Sequence, residues 1–170
     1  MSWNIGAGLE GKGVIVTGAA GGIGREVALA FAKAGCHVAA MDINEKGVGE
    51  VAALMEGGPH LAMAVDLRDI AGHEALIAKV EKQFGRLDVL ANTAAILIRR
   101  SNVDEVTEQD WDLQHDINLK AGFFLNRAVA RALKAQGRGG RIINFTSQAG
   151  GPAASAARSS MPRPRAGSSP

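Results

Sequence analysis

The stretch TGAAGGIG, residues 17–24, places Gly18, Gly22 and Gly24 at spacings of four and two around Ile23. A glycine at 18 lets the chain turn sharply. One at 22 presents no Cβ to hold a ligand off the backbone, and one at 24 lets a following helix pack closely. Free amides at the start of that helix, with its positive dipole end, suit a diphosphate. Glycines at a tight turn need no ligand, so such a loop points to dinucleotide binding only where it joins a strand to a helix. Asp42 follows Gly18 by 24 residues. A carboxylate there can accept hydrogen bonds from both hydroxyls of an adenosine ribose and would repel a 2′-phosphate. Ile43 follows it and Gly21 precedes Gly22, so no cation stands ready to neutralise that phosphate. NAD is therefore expected over NADP, with helix capping as the competing role for Asp42. Asp66 could accept from the adenine amino group, again in competition with capping.

The surrounding elements supply the required context. GVIVTG (13–18) is a short β-branched run ending in glycine, the pattern of a buried strand. Ile23, Val27, Ala30, Phe31 and Ala34 then recur at helical spacing until Gly35 stops the helix. Strands are expected at 37–41, 61–65, 87–91 and 141–145. Helices are expected at 44–56, 70–84 and 108–136, the last opened by a Thr107–Asp110 capping box and carrying Trp111, Ile117, Phe124, Ala128 and Leu133 inward. Strands alternating with helices through short loops imply an α/β fold. Its expected form is a Rossmann-like, doubly wound parallel sheet of order 3-2-1-4-5.

Composition is that of a globular protein: 46% hydrophobic and 21% charged over 170 residues. The single Cys36 cannot form an internal disulfide, and no apolar run reaches membrane-spanning length. The N-terminus lacks the basic start and apolar stretch of a signal peptide, so a cytoplasmic location is expected. No metal site and no membrane partner are expected. Residues 117–170 hold nine bases and no acid. Arg127, Arg131, Lys134 and Arg138 follow a helical spacing and read as a solvated face. Nucleic-acid binding through this half ranks last, because no aromatic platform accompanies the charge.

The spacing of 17–24, VDL (65–67), LDVLANTAAI (87–96), DINLKAGFF (116–124) and GRIINFTSQAG (140–150) together resemble the classical short-chain dehydrogenase/reductase family. The resemblance covers residues 9–151. It implies hydride transfer between a nicotinamide coenzyme and a small alcohol or ketone, with Ser147 polarising the carbonyl and Asn118 holding a relay water. It also implies coenzyme contacts from Asp66, Leu67, Asn92 and Ala94, and a homo-oligomer. Thr93 and Ala95 depart from the family's usual Asn-Asn-Ala-Gly.

The family's Tyr-x-x-x-Lys is missing: the chain has no tyrosine, and no lysine after Lys134. A serine hydroxyl is far less acidic than a phenol and cannot replace it. Residues 1–151 are expected to form the coenzyme-binding domain, truncated before the family's last helices and strands. Residues 152–170, which lack an apolar period, are expected to be a disordered tail. One hypothesis is that the tail is read out of frame. With permissible codons, starting at the third base of Arg158 gives Phe-Val-Tyr-Ala-Ala-Ser-Lys-Gly, and the one codon of Met161 supplies the AT that a tyrosine triplet needs. Gene codons incompatible with Tyr and Lys in both other frames would refute it. A coenzyme-binding module without turnover is the alternative function. The missing elements would leave an apolar sheet edge bare, so poor solubility or dependence on a partner is expected.

Overall fold

The computed structural model describes residues 8–147. The expectations for the tail, including the reading-frame hypothesis, lie outside them. β1 (Gly13–Thr17) leads into α1 (Gly22–Lys33), β2 (His37–Asp42), α2 (Glu45–Leu54) and β3 (Leu61–Ala64). α3 (His73–Phe84), β4 (Val89–Asn92), α4 (Glu108–His115), a π-helical segment (Asp116–Ala121), α5 (Gly122–Gln136) and β5 (Arg141–Asn144) follow. The five strands are parallel, in the order β3-β2-β1-β4-β5. The first crossovers run to one side of β1 and the later ones to the other, so the chain reverses direction beside β1.

Strand alternation divides the core in two. Val14, Val16, Val38 and Ala40 pack with Ala28, Ala32, Val48 and Val51 on one face of the sheet. Ile15, Met41 and Leu90 pack with Ile77, Val80, Leu125 and Val129 on the other. Burying each large aliphatic side chain is worth about 1.5–3 kcal/mol, which makes β1, buried throughout, the rigid centre of the sheet. Asp88 fastens the lower ends of β1 and β4. It accepts from the Gly13 amide at 2.9 Å and from Arg86 at 2.6 Å through each carboxylate oxygen, with Lys12 at 3.5 Å.

Three details differ from the sequence expectation. α1 buries Gly24, Ala28 and Ala32, while Ile23 is 64% exposed and Ala30 is also exposed. The inward stripe is the smallest set of residues, because the helix lies too close to the sheet for a larger one. The helix expected at 108–136 runs without interruption over those residues, but a π-helical turn is set into it between α4 and α5. Trp111 is 58% exposed and stacks on His115; α4 turns the acidic Asp110 inward instead. His115 donates from Nδ1 to the Trp111 carbonyl, a local structural role.

β5 pairs on one side only among the described residues, and it and the residue after it expose Ile143 and Phe145. Phe123 on α5 is exposed as well. Unpaired, apolar strand edges associate. Ile143→Lys is therefore expected to raise the soluble, monodisperse fraction in light scattering at matched concentration. An unchanged fraction would show that this edge does not drive association.

Candidate functional site

The loop between β1 and α1 is shaped by contacts that admit no side chain. Gly18 has φ +65°, and a Cβ there would lie 2.9 Å from the Ala94 Cα. A Cβ on Gly24 would lie 2.1 Å from the Gly18 carbonyl oxygen. Gly22 is different: it also has positive φ, +53°, but a Cβ would meet nothing within 4 Å. The space in front of it belongs to a cleft of about 480 Å³ that also borders Gly21, Ile23 and Gly24. α2 and α4 are capped by the side chains of Asn44 and Thr107, whereas no side chain caps α1. Its first amides therefore keep the unmet hydrogen-bonding capacity that favours an anion.

A second cavity, of about 190 Å³, adjoins the first through Gly18, Asp42 and Ala95. Its walls include the apolar Met41, Ile43, Val65, Leu67, Ile96 and Ile117, and Asp42 and Asp66 stand among them. A cleft at uncapped helix amides, joined to an apolar, carboxylate-flanked slot, fits the diphosphate and the adenosine of an adenine dinucleotide. The donor set fits the group that the sequence analysis expects.

Asp42 also organises the loop itself. Its Oδ2 accepts from the Ala20 amide at 3.0 Å and its Oδ1 from the Asn44 amide at 2.9 Å. Asn44, not Asp42, caps α2 by accepting from the Gly47 amide. Each Asp42 oxygen keeps a further lone pair for a ribose hydroxyl. Asp66 is held by Arg68, whose side chain and amide both donate to it. The Arg68 side chain, and then its amide, keep the Asp66 carboxyl below the usual carboxylate range. Asp69 caps the following turn, accepting from the Gly72 amide. Leu67 offers its side chain to the slot and its carbonyl to His73.

At the ends of the strands a polar chain crosses from β1 to α5. Thr17 donates from Oγ1 to Asn92 Oδ1 at 2.8 Å and accepts from the Ala94 amide at 3.2 Å. Thr93 donates to the Thr17 carbonyl. Asn92 donates onward to Asn144 Oδ1 at 3.4 Å, which also accepts from Asn126 at 3.0 Å. The Asn92 side chain thus braces the site from within, while Ala94 and Ala95 line the slot. The Ala95 methyl borders both cavities, where a glycine would leave more room.

Asn118 lies in the π-helical turn. Its Oδ1 accepts from the Ile96 amide and its Nδ2 donates to the Ile96 carbonyl, both at 2.8 Å. Its amide is therefore committed to the segment after β4. Ser147 is exposed, three residues beyond β5. β4 and β5 are direct neighbours in the sheet, so Asn118's partner Ile96 and Ser147 both follow strand ends on the same edge. Asn144 and Asn126 escaped the sequence reading. The one usable signal was an asparagine ending an otherwise apolar strand, RIIN.

Among the described residues no helix is long and apolar enough to cross a membrane. The family described as short chain dehydrogenase matches residues 12–159. The 2-dehydro-3-deoxy-D-gluconate 5-dehydrogenase of Escherichia coli is 42% identical over 82% of this chain, which covers 54% of that protein. The D-threitol dehydrogenase of Mycolicibacterium smegmatis is 41% identical over 83% of this chain and is likewise covered to 54%. A 3-ketoacyl-(acyl-carrier-protein) reductase from Brucella melitensis, solved in complex with NADH, superposes with a TM-score of 0.78. It is 31% identical, over 84% of this chain and 59% of that one. The chain thus spans about half the length of the curated relatives it matches.

Proposed function

We propose that this chain, which belongs to the short-chain dehydrogenase family, binds NAD(H) at the uncapped start of α1 and is the coenzyme half of an oxidoreductase acting on a small alcohol or ketone. The observation that carries this reading is Gly22: a positive-φ glycine with open space before it, in a loop whose Gly18 and Gly24 have none. A bound nicotinamide supplies or accepts the hydride. The loop amides hold the diphosphate, Asp42 accepts from the ribose hydroxyls, and Leu67 and Ile96 exclude water from the adenine slot. Ser147 would donate its hydroxyl hydrogen bond to the substrate oxygen, and Asn118 would hold the site's backbone around a relay water. The relatives' names, a sugar acid and a sugar alcohol dehydrogenase, favour a polyhydroxylated small molecule as substrate.

The chain supplies no tyrosine to carry the substrate proton. General acid–base catalysis is worth roughly 10²- to 10⁴-fold, so turnover is expected to be lower than in a relative that has the phenol by about that factor. Calorimetric titration of the folded chain tests the coenzyme reading. Saturable NADH binding is expected, with NADPH weaker by at least about tenfold, because Asp42 would face the 2′-phosphate with a like charge and no neighbouring cation. No heat from either coenzyme would end this reading. Tighter binding of NADPH would end the role given to Asp42.

A further inference from the structure

Asn118 does not grip the segment after β4 alone. Asp110, Gln114 and Asn118 lie four residues apart along α4 and the π-helical turn, one helical turn after another on a shared face. Their partners are Arg100, Ile98 and Ile96, spaced by two and running in the opposite direction. Asp110 receives the Arg100 guanidinium through both oxygens, at 2.8 and 2.7 Å. Gln114 Oε1 accepts from the Ile98 amide at 3.1 Å, and Asn118 takes both backbone groups of Ile96. The geometry is self-consistent. An extended chain advances about 6.6 Å in two residues, close to the rise of one helical turn, so each turn meets the next alternate residue. Burial alternates to match: Ile96 and Ile98 are half-buried, Leu97 and Arg99 exposed.

Each end of this ladder is anchored. The Asp110 carboxyl is pulled down to about 2, first by the Arg100 hydrogen bonds and then by the Thr107 amide, so it stays ionised. The Thr107 capping box fixes the same residue at the helix start. Gln114 donates from Nε2 to the Asp110 carbonyl at 3.4 Å, which aims its Oε1 at Ile98. At the far end Ile96 forms part of the wall of the adenine slot, beside Ile117 from the π-helical turn.

From this arrangement we infer that Gln114 is a positioning residue for the coenzyme cleft: by holding Ile98 it sets the extended segment 96–100 and so the placement of Ile96 against the slot. This rests on the coenzyme reading only for the cleft's occupant. The holding role stands on the ladder itself.

The test compares the full chain with Gln114→Met, which keeps the volume and removes the acceptor, and Gln114→Glu, which restores an acceptor oxygen. Two readouts are needed: residue-resolved amide hydrogen exchange without ligand, and the NADH dissociation constant. In Gln114→Met, exchange at Ile98 and Ile96 is expected to speed up about fivefold or more while β1 amides are unchanged, and NADH binding to weaken about threefold to tenfold. Gln114→Glu, which restores the acceptor for Ile98 but not the Nε2 donor to the Asp110 carbonyl, is expected to bring Ile98 exchange only part of the way back toward the parent. Unchanged Ile98 exchange in Gln114→Met, or exchange in Gln114→Glu no slower than in Gln114→Met, would overturn the ladder. Faster exchange with unaltered NADH affinity would overturn the positioning role. If the parent chain protects Ile96 and Ile98 as expected but binds no NADH, the ladder survives and the coenzyme reading falls.

Discussion

Gly24→Ala is expected to lower the melting temperature by more than about 6 °C and to abolish NADH binding, a loss of at least about 3 kcal/mol. The added methyl would meet backbone, not the pliable end of a side chain. Gly18 O lies 2.1 Å and Gly18 C 2.7 Å from its position, with Thr93 Oγ1 at 2.6 Å. Gly18 cannot retreat, because the chain of Ala94 already packs against its other side. The strain would have to push α1 off the sheet, and α1 is seated there through Ala28 and Ala32, whose burial leaves no slack. Gly22→Ala is the informative contrast. Its Cβ meets nothing, so the cost is that of a left-handed alanine, about 1–2 kcal/mol. Its methyl nevertheless occupies the space assigned to the diphosphate. Gly22→Ala should therefore keep most of its thermal stability and lose NADH affinity, whereas Gly24→Ala loses both. Parental NADH affinity in Gly22→Ala would move the phosphates elsewhere.

That contrast also marks what could be read from residue types. The glycine spacing placed the loop correctly, because a tight turn and a close helix approach leave few alternatives to glycine. The strands were legible for a similar reason: GVIVT and VLAN are buried on both faces and so are continuous apolar runs. Periodicity misled on α1, where the large residues Ile23 and Phe31 suggested a stripe one position away from the buried Gly24, Ala28 and Ala32. A search for bulk misses a face selected for smallness. The π-helical turn inside the long helix was hidden too. Nothing local in DINLKA forbids an α-helix; the turn widens where Asn118 reaches across to Ile96, a partner 22 residues away in sequence. The Asn92–Asn144–Asn126 chain is likewise a product of strand adjacency, visible only once β4 and β5 are side by side.

Asp88→Ala should cost about 2–4 kcal/mol, although it lies at the opposite end of the sheet from the cleft. The substitution would leave the Gly13 amide without its acceptor and release Arg86 and Lys12 from the charge they surround. It would also loosen the register that carries consequences upward. Val14 pairs with Val89 and Thr17 with Asn92, so a slip at the base displaces Thr93 and Ala94 from Gly18 at the top. Asp88→Asn, which keeps an acceptor for Gly13 but no charge, is expected to fall between the two in a denaturant melt. The pH dependence fixes the sign. Burial raises the Asp88 carboxyl, but the Arg86 hydrogen bonds, the Gly13 amide and the charges of Arg86 and Lys12 outweigh it and hold it below its ordinary value. A carboxyl depressed in the folded state contributes its full stability above the unfolded value, near about 4, and loses it as pH falls through the folded value. The stability gap between the parent and Asp88→Ala should thus be constant around neutrality and narrow below about pH 4. A gap that stays constant down to about pH 2 would mean that the ionised carboxylate is not what joins β1 to β4.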